Sequence, residues 1–473
     1  MKPTKLLLTL PLVAVATTAA AKSKQPNVIV IMADDQGYQD LGCYGSPLIK
    51  TPAIDKMATE GMRLTDFYQT SSVSSASRAG LLTGILNTRN GVPKVFWPNQ
   101  DGMPSEQITI AEMLKEQGYT TACIGKWHLG DTKGHMPTDQ GFDEFYGIPF
   151  SNDMFIGNQH KISKKATFGE GWDLAKTKEA QKKTASGGIG KARKQDLHYK
   201  VPLVEGVEII EFPVDQTTLT RKYFDRAIEF VTKSAKADTP FFTYITPAMP
   251  HIPLYASEQF KGKSARGLYG DCIEELDWNV GRLLDALDKA GLSENTIIIY
   301  TSDNGPWLQK KEEGGSAAPL RGGKFLYYDG GVRVPCVIKW AGTIPAGTVS
   351  DAVVRSVDFL PTFVAQAGGK VKHRVDGKDI SKFLANPTKT KGLDENVYVN
   401  NGRVIGVRKG DWIYLPYAGT GAKKDSPELY NIKENMAENK NLISSNPEKL
   451  AELKKLYDAH VAANPAPVEA EKK

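Results

Sequence analysis

The chain has 473 residues, of which 40% are hydrophobic and 24% charged, an ordinary composition for a globular protein with room for two or three domains. Its net charge of +6 is a mild basic excess, and no compact basic and aromatic motif accompanies it, so we expect no nucleic-acid partner. The same excess is compatible with an anionic substrate.

The first 21 residues have the pattern of a secretory signal peptide. Lys2 and Lys5 precede an apolar run over residues 6–15, and Ala19-Ala20-Ala21 offers a small-residue cleavage site. The run is too short to span a bilayer, and no second long apolar stretch follows it. The sequence predicts an exported chain, periplasmic or extracellular, without stable membrane insertion. An uncleaved membrane anchor is the alternative.

Four apolar runs of strand type each end in polar residues. The runs cover residues 27–32, 120–125, 241–246 and 296–302. Continuous apolar strands separated by helical segments indicate a parallel sheet that is buried on both faces. Because ligands bind at the carboxyl ends of such strands, we expect one site built from the polar residues that follow these runs.

Helical patterns lie between the strands, with apolar stripes that we assign to the core. They cover residues 54–61, 110–117, a segment with Phe224, Ile228 and Val231 on one face, and residues 273–287. Between residues 152 and 200 the pattern breaks down into a lysine-rich segment. We interpret this segment as a solvated excursion, and contact with a polyanion is the alternative.

The chain changes character after residue 345. Alternating residues around Lys409-Gly410 predict a β-hairpin, and residues 447–462 predict an amphipathic helix. The predicted fold class is α/β, a large mixed and mostly parallel sheet between helices, with a smaller C-terminal subdomain that carries an antiparallel sheet and a helix. The predicted boundaries are 1–21 for the signal peptide, 22–370 for the catalytic domain and 371–473 for the subdomain.

Hard oxygen donors follow the first and the last of the four strands. Asp34 and Asp35 come after residue 32, and Asp303 and Asn304 come after residue 302. Adjacent carboxylates at the end of a buried strand need a cation or hydrogen-bond donors to compensate them. The four cysteines are widely scattered and show no zinc spacing, so these oxygens suit calcium or magnesium better than zinc. An Asp-rich turn is the alternative.

A serine-rich turn over residues 74–77 leads into an apolar, helix-compatible segment with Arg78 at the junction. The N-terminus of a helix suits an anion, and a guanidinium matches a tetrahedral oxyanion such as sulfate or phosphate. Ser74 would then lie beside an anion pocket. A serine-rich N-cap on an ordinary helix is the alternative.

Residues 74–84 resemble the signature of the type I sulfatases, in which Cys or Ser, a spacer, Pro or Ala, Ser and Arg precede Leu-Thr-Gly. The family belongs to the alkaline-phosphatase-like superfamily. The resemblance implies that Ser74 is oxidised after translation to formylglycine, whose hydrate is the nucleophile. It also implies that Asp34, Asp35, Asp303 and Asn304, together with the modified Ser74, hold a divalent cation, usually calcium and less commonly magnesium.

Further blocks carry the same resemblance along most of the chain. Gly125-Lys-Trp-His-Leu-Gly130 implies that Lys126 contacts the sulfate and that His128 stabilises the hydrate or its elimination. Pro250-His251-Ile-Pro253 and the block that contains Lys324 imply substrate contacts from His251 and Lys324 near the leaving oxygen. Arg78 completes the implied catalytic set. Asp329 stands where the family usually has Glu, which leaves its contacts open.

The resemblance implies a sulfuric ester hydrolase that acts on a sulfated carbohydrate, and a marine galactan such as carrageenan is one candidate. Because position 74 is Ser rather than Cys, a native Ser74 implies a bacterial host with a radical S-adenosylmethionine maturase; an engineered replacement of Cys is the other possibility. A phosphonate or phosphate monoester hydrolase of the same superfamily and an inactive sulfated-glycan binder are the alternative functions.

Overall fold

A computed structural model describes residues 25–185, 188–417 and 426–465, so the predicted signal peptide lies outside the described residues. The strands are β1 (Asn27–Ala33), β2 (Met62–Leu64), β3 (Phe67–Tyr68), β4 (Thr120–Lys126), β5 (Glu144–Ile148), β6 (Lys161–Phe168), β7 (Leu203–Glu205), β8 (Glu208–Phe212), β9 (Phe241–Thr246), β10 (Thr296–Ser302), β11 (Cys336–Trp340), β12 (Thr348–Ser350), β13 (Val354–Arg355), β14 (Glu395–Asn400), β15 (Arg403–Lys409), β16 (Trp412–Leu415) and β17 (Glu428–Asn431).

The helices surround and connect these strands. They are α1 (Pro52–Thr59), α2 (Ser74–Thr83), α3 (Ile110–Lys115), α4 (Leu174–Thr184), α5 (Ile189–Lys194), α6 (Leu219–Ala237), α7 (Leu268–Lys289), α8 (Asp329–Val332), α9 (Phe359–Gln366), α10 (Ser381–Ala385) and α11 (Pro447–Ala463). Within the described ranges, none of the helices is long and apolar enough to cross a membrane.

One mixed sheet of eleven strands organises the fold, in the order β12-β2-β11-β10-β1-β9-β4-β5-β7-β8-β6. The strands from β10 to β5 pair in parallel, and antiparallel strands flank them on both sides. Every residue of β1, β9 and β10 is buried, as expected for apolar strands covered on both faces. The predicted α/β architecture is confirmed, and the four predicted strands are all present.

The described part of residues 152–200 has more regular secondary structure than the predicted solvated excursion. This segment contains β6, which pairs with β8 at the edge of the large sheet, and the two helices α4 and α5. Helix α4 begins with a side-chain cap, because Asp173 accepts a hydrogen bond from the Lys176 amide at 2.8 Å. Its buried residues are small, Thr177, Ala180 and Thr184, so the helix has no large apolar stripe for a periodicity analysis to detect.

A second, antiparallel sheet of four strands lies towards the C-terminus, in the order β14-β15-β16-β17. Lys409 pairs with Trp412 across the turn that the sequence predicted at Lys409-Gly410. Helix α11 packs on this sheet through Leu453, which is buried with Val407 and other apolar residues of β16 and β17. The predicted subdomain architecture of an antiparallel sheet and a helix is therefore present.

Asp329 connects the C-terminal sheet to β3 rather than contacting the site. Its fully buried carboxylate accepts hydrogen bonds from Tyr398 of β14 at 2.6 Å and from Tyr68 of β3 at 2.9 Å, and it pairs with Arg333 at 3.2 Å. The side chain thus bridges the C-terminal sheet and the segments that flank the large sheet. Asp329, at a position where the resembled family usually has Glu, has a structural role here.

We expect Tyr398→Phe to lower the free energy of unfolding by about 1.5–3 kcal/mol, because it removes a buried hydrogen bond to a charged group. Urea unfolding monitored by circular dichroism would measure the change. Tyr457→Phe is the matched control, since the Tyr457 hydroxyl donates at 3.3 Å to a neutral carbonyl and is only part-buried. Equal losses in the two variants would contradict this role of Asp329.

Candidate active site

The polar residues that follow four neighbouring strands meet at one buried location. Asp34 and Asp35 follow β1, Asp303 and Asn304 follow β10, and Lys126 ends β4. His251 lies in the segment after β9. Because β10, β1, β9 and β4 are consecutive in the sheet, their carboxyl ends bring these side chains together, as the sequence predicts.

Three carboxylates form the centre of the site. One oxygen each of Asp34, Asp35 and Asp303 lies within 4.8 Å of the others, and all three side chains are buried. Asn304 adds an amide beside them, donating to Asp35 Oδ1 at 2.7 Å. Clustered carboxylate and amide oxygens are the ligands that calcium and magnesium prefer. The residues present therefore fit a divalent cation of this class.

Ser74 is the first residue of α2 and faces this carboxylate cluster. Its hydroxyl lies 3.2 Å from Asp34 Oδ1, 3.4 Å from Asn304 Oδ1 and 3.5 Å from Lys126 Nζ. The helix is preceded by Val73, which makes no capping hydrogen bond, and the Ser74 hydroxyl contacts the cluster rather than the helix amides. The alternative of an ordinary serine N-cap is therefore wrong for Ser74.

Three buried cations balance the three carboxylates. Lys126 Nζ lies 2.5 Å from Asp34, and Lys324 Nζ lies 2.7 Å from Asp35. Burial opposes ionisation of Asp34, but the neighbouring cations, Lys126 foremost, lower its pKa. Burial raises the pKa of Asp35 to about 6 against the opposing charge of Lys324. The pKa of Lys324 is raised, since Asp35 and Asp34 outweigh its burial.

The third cation, Arg78, is engaged entirely within the protein. Its Nε and one terminal nitrogen donate to Asp303 Oδ2 at 3.0 and 2.9 Å, and the other terminal nitrogen donates to the Lys126 carbonyl at 2.8 Å. The sequence placed Arg78 at an oxyanion. In the structure the guanidinium instead orients the Asp303 carboxylate, which follows β10, and the Lys126 carbonyl at the end of β4.

The charges suit a cation and an anion bound together. Arg78, Lys126 and Lys324 offset Asp34, Asp35 and Asp303 one for one, so a divalent cation and a divalent anion can enter the site without changing its net charge. Buried charge is costly unless it is compensated, which favours joint binding of the two ions over binding of either alone.

We expect calcium to stabilise the protein, by about 2.7 kcal/mol at a concentration one hundred times its dissociation constant. Thermal unfolding with calcium, with magnesium and with a chelator would measure this effect. Asp34→Asn should lose the stabilisation. Asp277→Asn should keep it, because Asp277 is a buried carboxylate that accepts from the Ala53 and Ile54 amides, outside the cluster. If neither cation raised the unfolding temperature of the wild-type protein, that result would contradict a metal site here.

His128 presents one free ring nitrogen. Its Nε2 lies 3.1 Å from the Phe96 carbonyl, which can only accept, so Nε2 carries the proton and Nδ1 carries the lone pair. Nδ1 is buried and has no hydrogen-bond partner among the described residues. Burial and the nearby cations, Lys126 first, lower the pKa of His128 well below its usual range. The side chain is therefore a neutral proton acceptor.

His251 is oriented by Asn152. The His251 Nδ1 atom lies 3.0 Å from Asn152 Oδ1 and 2.5 Å from the Ile252 carbonyl, so Nδ1 is the donor and Nε2 faces the cluster, 3.7 Å from Asp35. Asn152 itself is held by its amide nitrogen, which donates to the Pro253 carbonyl at 3.0 Å. Asn152 is buried and positions His251.

Phe96 and Asn152 have positioning roles that the sequence did not predict. Phe96 acts through its carbonyl, which any residue would supply, so the sequence carries no signal for it. Asn152 is distant in sequence from His251, and only the approach of the segments after β5 and β9 brings them together. The residues with predicted roles, in contrast, all lie in or beside the cluster.

The sequence is similar to those of known proteins over most of its length. Residues 26–369 match the model of the Sulfatase family, and residues 323–462 match the model of the N-sulphoglucosamine sulphohydrolase C-terminal region. The chain is 36% identical to arylsulfatase G of Mus musculus over 389 residues, covering 79% of this chain and 71% of that protein. It is 34% identical to arylsulfatase A of Homo sapiens over 484 residues, covering 95% and 91%.

The fold is also similar to a solved structure, Ps i-CgsB in complex with k-i-k-neocarrahexaose. The TM-score is 0.76 at 29% identity, and the match covers 94% of each chain. The similarity therefore extends over both the large sheet and the C-terminal sheet.

Proposed function

The chain belongs to the sulfatase family, as its motifs suggested, and we propose that it removes sulfate from a sulfated carbohydrate by means of a formylglycine formed at Ser74. The observation that carries this proposal is the position of the Ser74 hydroxyl, which lies within 3.5 Å of Asp34, Asn304 and Lys126 at once. A nucleophile at that point meets cation ligands on one side and a buried ammonium group on the other.

Formylglycine would supply a hydrated aldehyde as nucleophile and a second hydroxyl for release of sulfate. A calcium ion held by the clustered carboxylate and amide oxygens would neutralise the charge of the sulfate. We assign Asp34, Asp35, Asp303 and Asn304 to the cation, with magnesium as the alternative ion. Arg78 is a positioning residue, because its donors hold Asp303 and the Lys126 carbonyl.

The remaining residues are assigned either to the sulfate and the nucleophile or to the leaving oxygen. Lys126 is assigned to the sulfate and to the hydroxyl of residue 74, which it already approaches at 3.5 Å. His128, with a free Nδ1, accepts the proton that is lost when sulfate is released. Lys324 is assigned to the leaving oxygen as proton donor, because its ammonium form is stabilised by Asp35. His251, whose Nε2 faces the cluster and can only accept, is assigned to the hydroxyl of the leaving alcohol.

The substrate class follows from the relatives. The solved relative named above holds a carrageenan oligosaccharide, which supports a sulfated glycan and leaves carrageenan itself as one candidate. The N-terminal pattern of residues 1–21 supports export, which in a bacterial host would place the protein in the periplasm or outside the cell. Since position 74 is Ser, we propose that a radical S-adenosylmethionine maturase of that host is the partner that modifies it.

Turnover of 4-nitrophenyl sulfate and 4-nitrophenyl phosphate by protein from a host with the maturase tests the reaction class. We expect a clear preference for the sulfate ester. In a second assay, we expect release of sulfate from members of a sulfated-oligosaccharide panel. A preference for the phosphate would replace the proposal with a phosphate or phosphonate monoesterase. Binding of the oligosaccharides without turnover, by protein carrying the modification, would leave an inactive glycan binder.

A further inference from the structure

An aromatic residue, Trp307, lies directly outside the two groups assigned to the leaving oxygen. Its ring centroid is 6.0 Å from that of His251 and 4.7 Å from Lys324 Nζ. Trp307 comes three residues after Asn304 and is only part-buried, whereas His251 and Lys324 are buried. If those two groups face the leaving oxygen, as the proposed function holds, then the sugar attached to that oxygen lies against Trp307.

Phe325 extends the same surface. Its ring packs edge-on against Trp307, with centroids 5.3 Å apart, yet 44% of the residue is exposed. The backbone of Phe325 has a φ of 70°, a left-handed conformation that is strained for a bulky residue. Hydrogen bonds from Lys324 N to the Pro306 carbonyl and from Phe325 N to the Ser72 carbonyl hold this conformation. Strain of this kind is common where a side chain meets a ligand.

Lys310 places a further positive charge at the same point. Its ammonium nitrogen lies over the Trp307 ring, 4.5 Å from the centroid, so it is within about 9 Å of Lys324 Nζ. No described carboxylate forms a salt bridge with Lys310; the neighbouring Glu312 pairs with Arg266 instead. A cation that is not neutralised beside an anion pocket attracts a second anion.

We propose that Trp307, Phe325 and Lys310 form the subsite for the sugar that carries the scissile sulfate, and that Lys310 recognises a second anionic group on that sugar. The aromatic pair supplies an apolar surface for the sugar ring, and Lys310 supplies the charge. The substrate class is therefore a glycan with closely spaced anionic groups, rather than one with isolated sulfates. This inference rests on the proposed function.

The test compares two oligosaccharides with the same backbone, one with a single sulfate and one with a second sulfate on the same sugar. Wild-type protein should prefer the disulfated substrate in kcat/KM. Lys310→Met keeps the aliphatic stem and should reduce that preference about tenfold, mainly through KM, because one charge-assisted contact is lost. Lys310→Arg should keep the preference. Lys311→Met, which removes the adjacent exposed lysine, is the matched control and should leave it unchanged.

The salt dependence of the preference and the KM of a Phe325 variant provide two further measurements. Rising salt should weaken the wild-type preference, since an exposed charge contact is screened, and should hardly affect Lys310→Met. Phe325→Ala should raise KM for both oligosaccharides by a similar factor. A preference that survives Lys310→Met, or falls equally in Lys311→Met, overturns the inference while turnover of 4-nitrophenyl sulfate keeps the proposed function intact. Wild-type protein that carries formylglycine but hydrolyses no sulfate ester overturns both.

Discussion

Replacing Ser74 with alanine is expected to abolish sulfate ester hydrolysis, lowering kcat by at least about 10⁴-fold, because loss of a nucleophile removes the bond-forming group itself. The effect on folding should be small, since the Ser74 hydroxyl makes only long contacts, of 3.2 Å to Asp34 and 3.4 Å to Asn304. Steady-state turnover of 4-nitrophenyl sulfate, with thermal unfolding measured alongside, separates the two effects.

Two comparison variants sharpen this result. Ser74→Cys, produced in a host with the oxygen-dependent generating enzyme for Cys-type sulfatases, should be active, because both residues lead to the same aldehyde. Ser234→Ala removes a buried hydroxyl that lies 3.4 Å from the Thr120 hydroxyl, outside the signature and the site, and should retain activity. Turnover by Ser74→Ala close to that of wild type would show that residue 74 is not the nucleophile.

Arg78→Met should lower the free energy of unfolding by about 3–5 kcal/mol, because it leaves a buried carboxylate without its partner. The guanidinium is fully buried and supplies two of the hydrogen bonds to Asp303. The loss should be large enough to shift a urea unfolding midpoint clearly. Activity should fall as well, since the position of Asp303 depends on these contacts.

A matched arginine and a double variant test the cause. Arg282→Met breaks a surface pair with Asp225 and should cost no more than about 1 kcal/mol. Arg78→Met combined with Asp303→Asn should be less destabilised than the sum of the two single changes, because no uncompensated charge remains. Strict additivity would contradict the pairing of Arg78 with Asp303 as the source of the loss.

The strands and the site residues were predictable for one physical reason. The apolar runs that end at Ala33 and Ser302 are long, continuous and buried on both faces, and the parallel arrangement that this implies gathers the polar residues after each strand. The predicted site required only that rule and the motif resemblance. The family and fold class are confirmed by the comparisons and the sheet order, whereas the roles of individual residues stay predictions.

What the sequence did not reveal depends on contacts between distant segments. The orientation of Arg78 towards Asp303 follows from how closely β10 approaches α2, and the tautomer of His128 follows from one main-chain carbonyl at Phe96. Neither is encoded in a local pattern. Helix α4 was not predicted because it buries only small side chains, which leave no periodic apolar signal.

Tandem mass spectrometry of the tryptic peptide that covers residues 64–78, from protein purified from its native host, shows whether Ser74 becomes formylglycine. Oxidation of the Ser74 side chain from CH₂OH to an aldehyde removes two hydrogen atoms, so we expect a peptide lighter by that mass, with the difference localised at Ser74. Fully unmodified serine at this position in the native host would contradict the formylglycine mechanism.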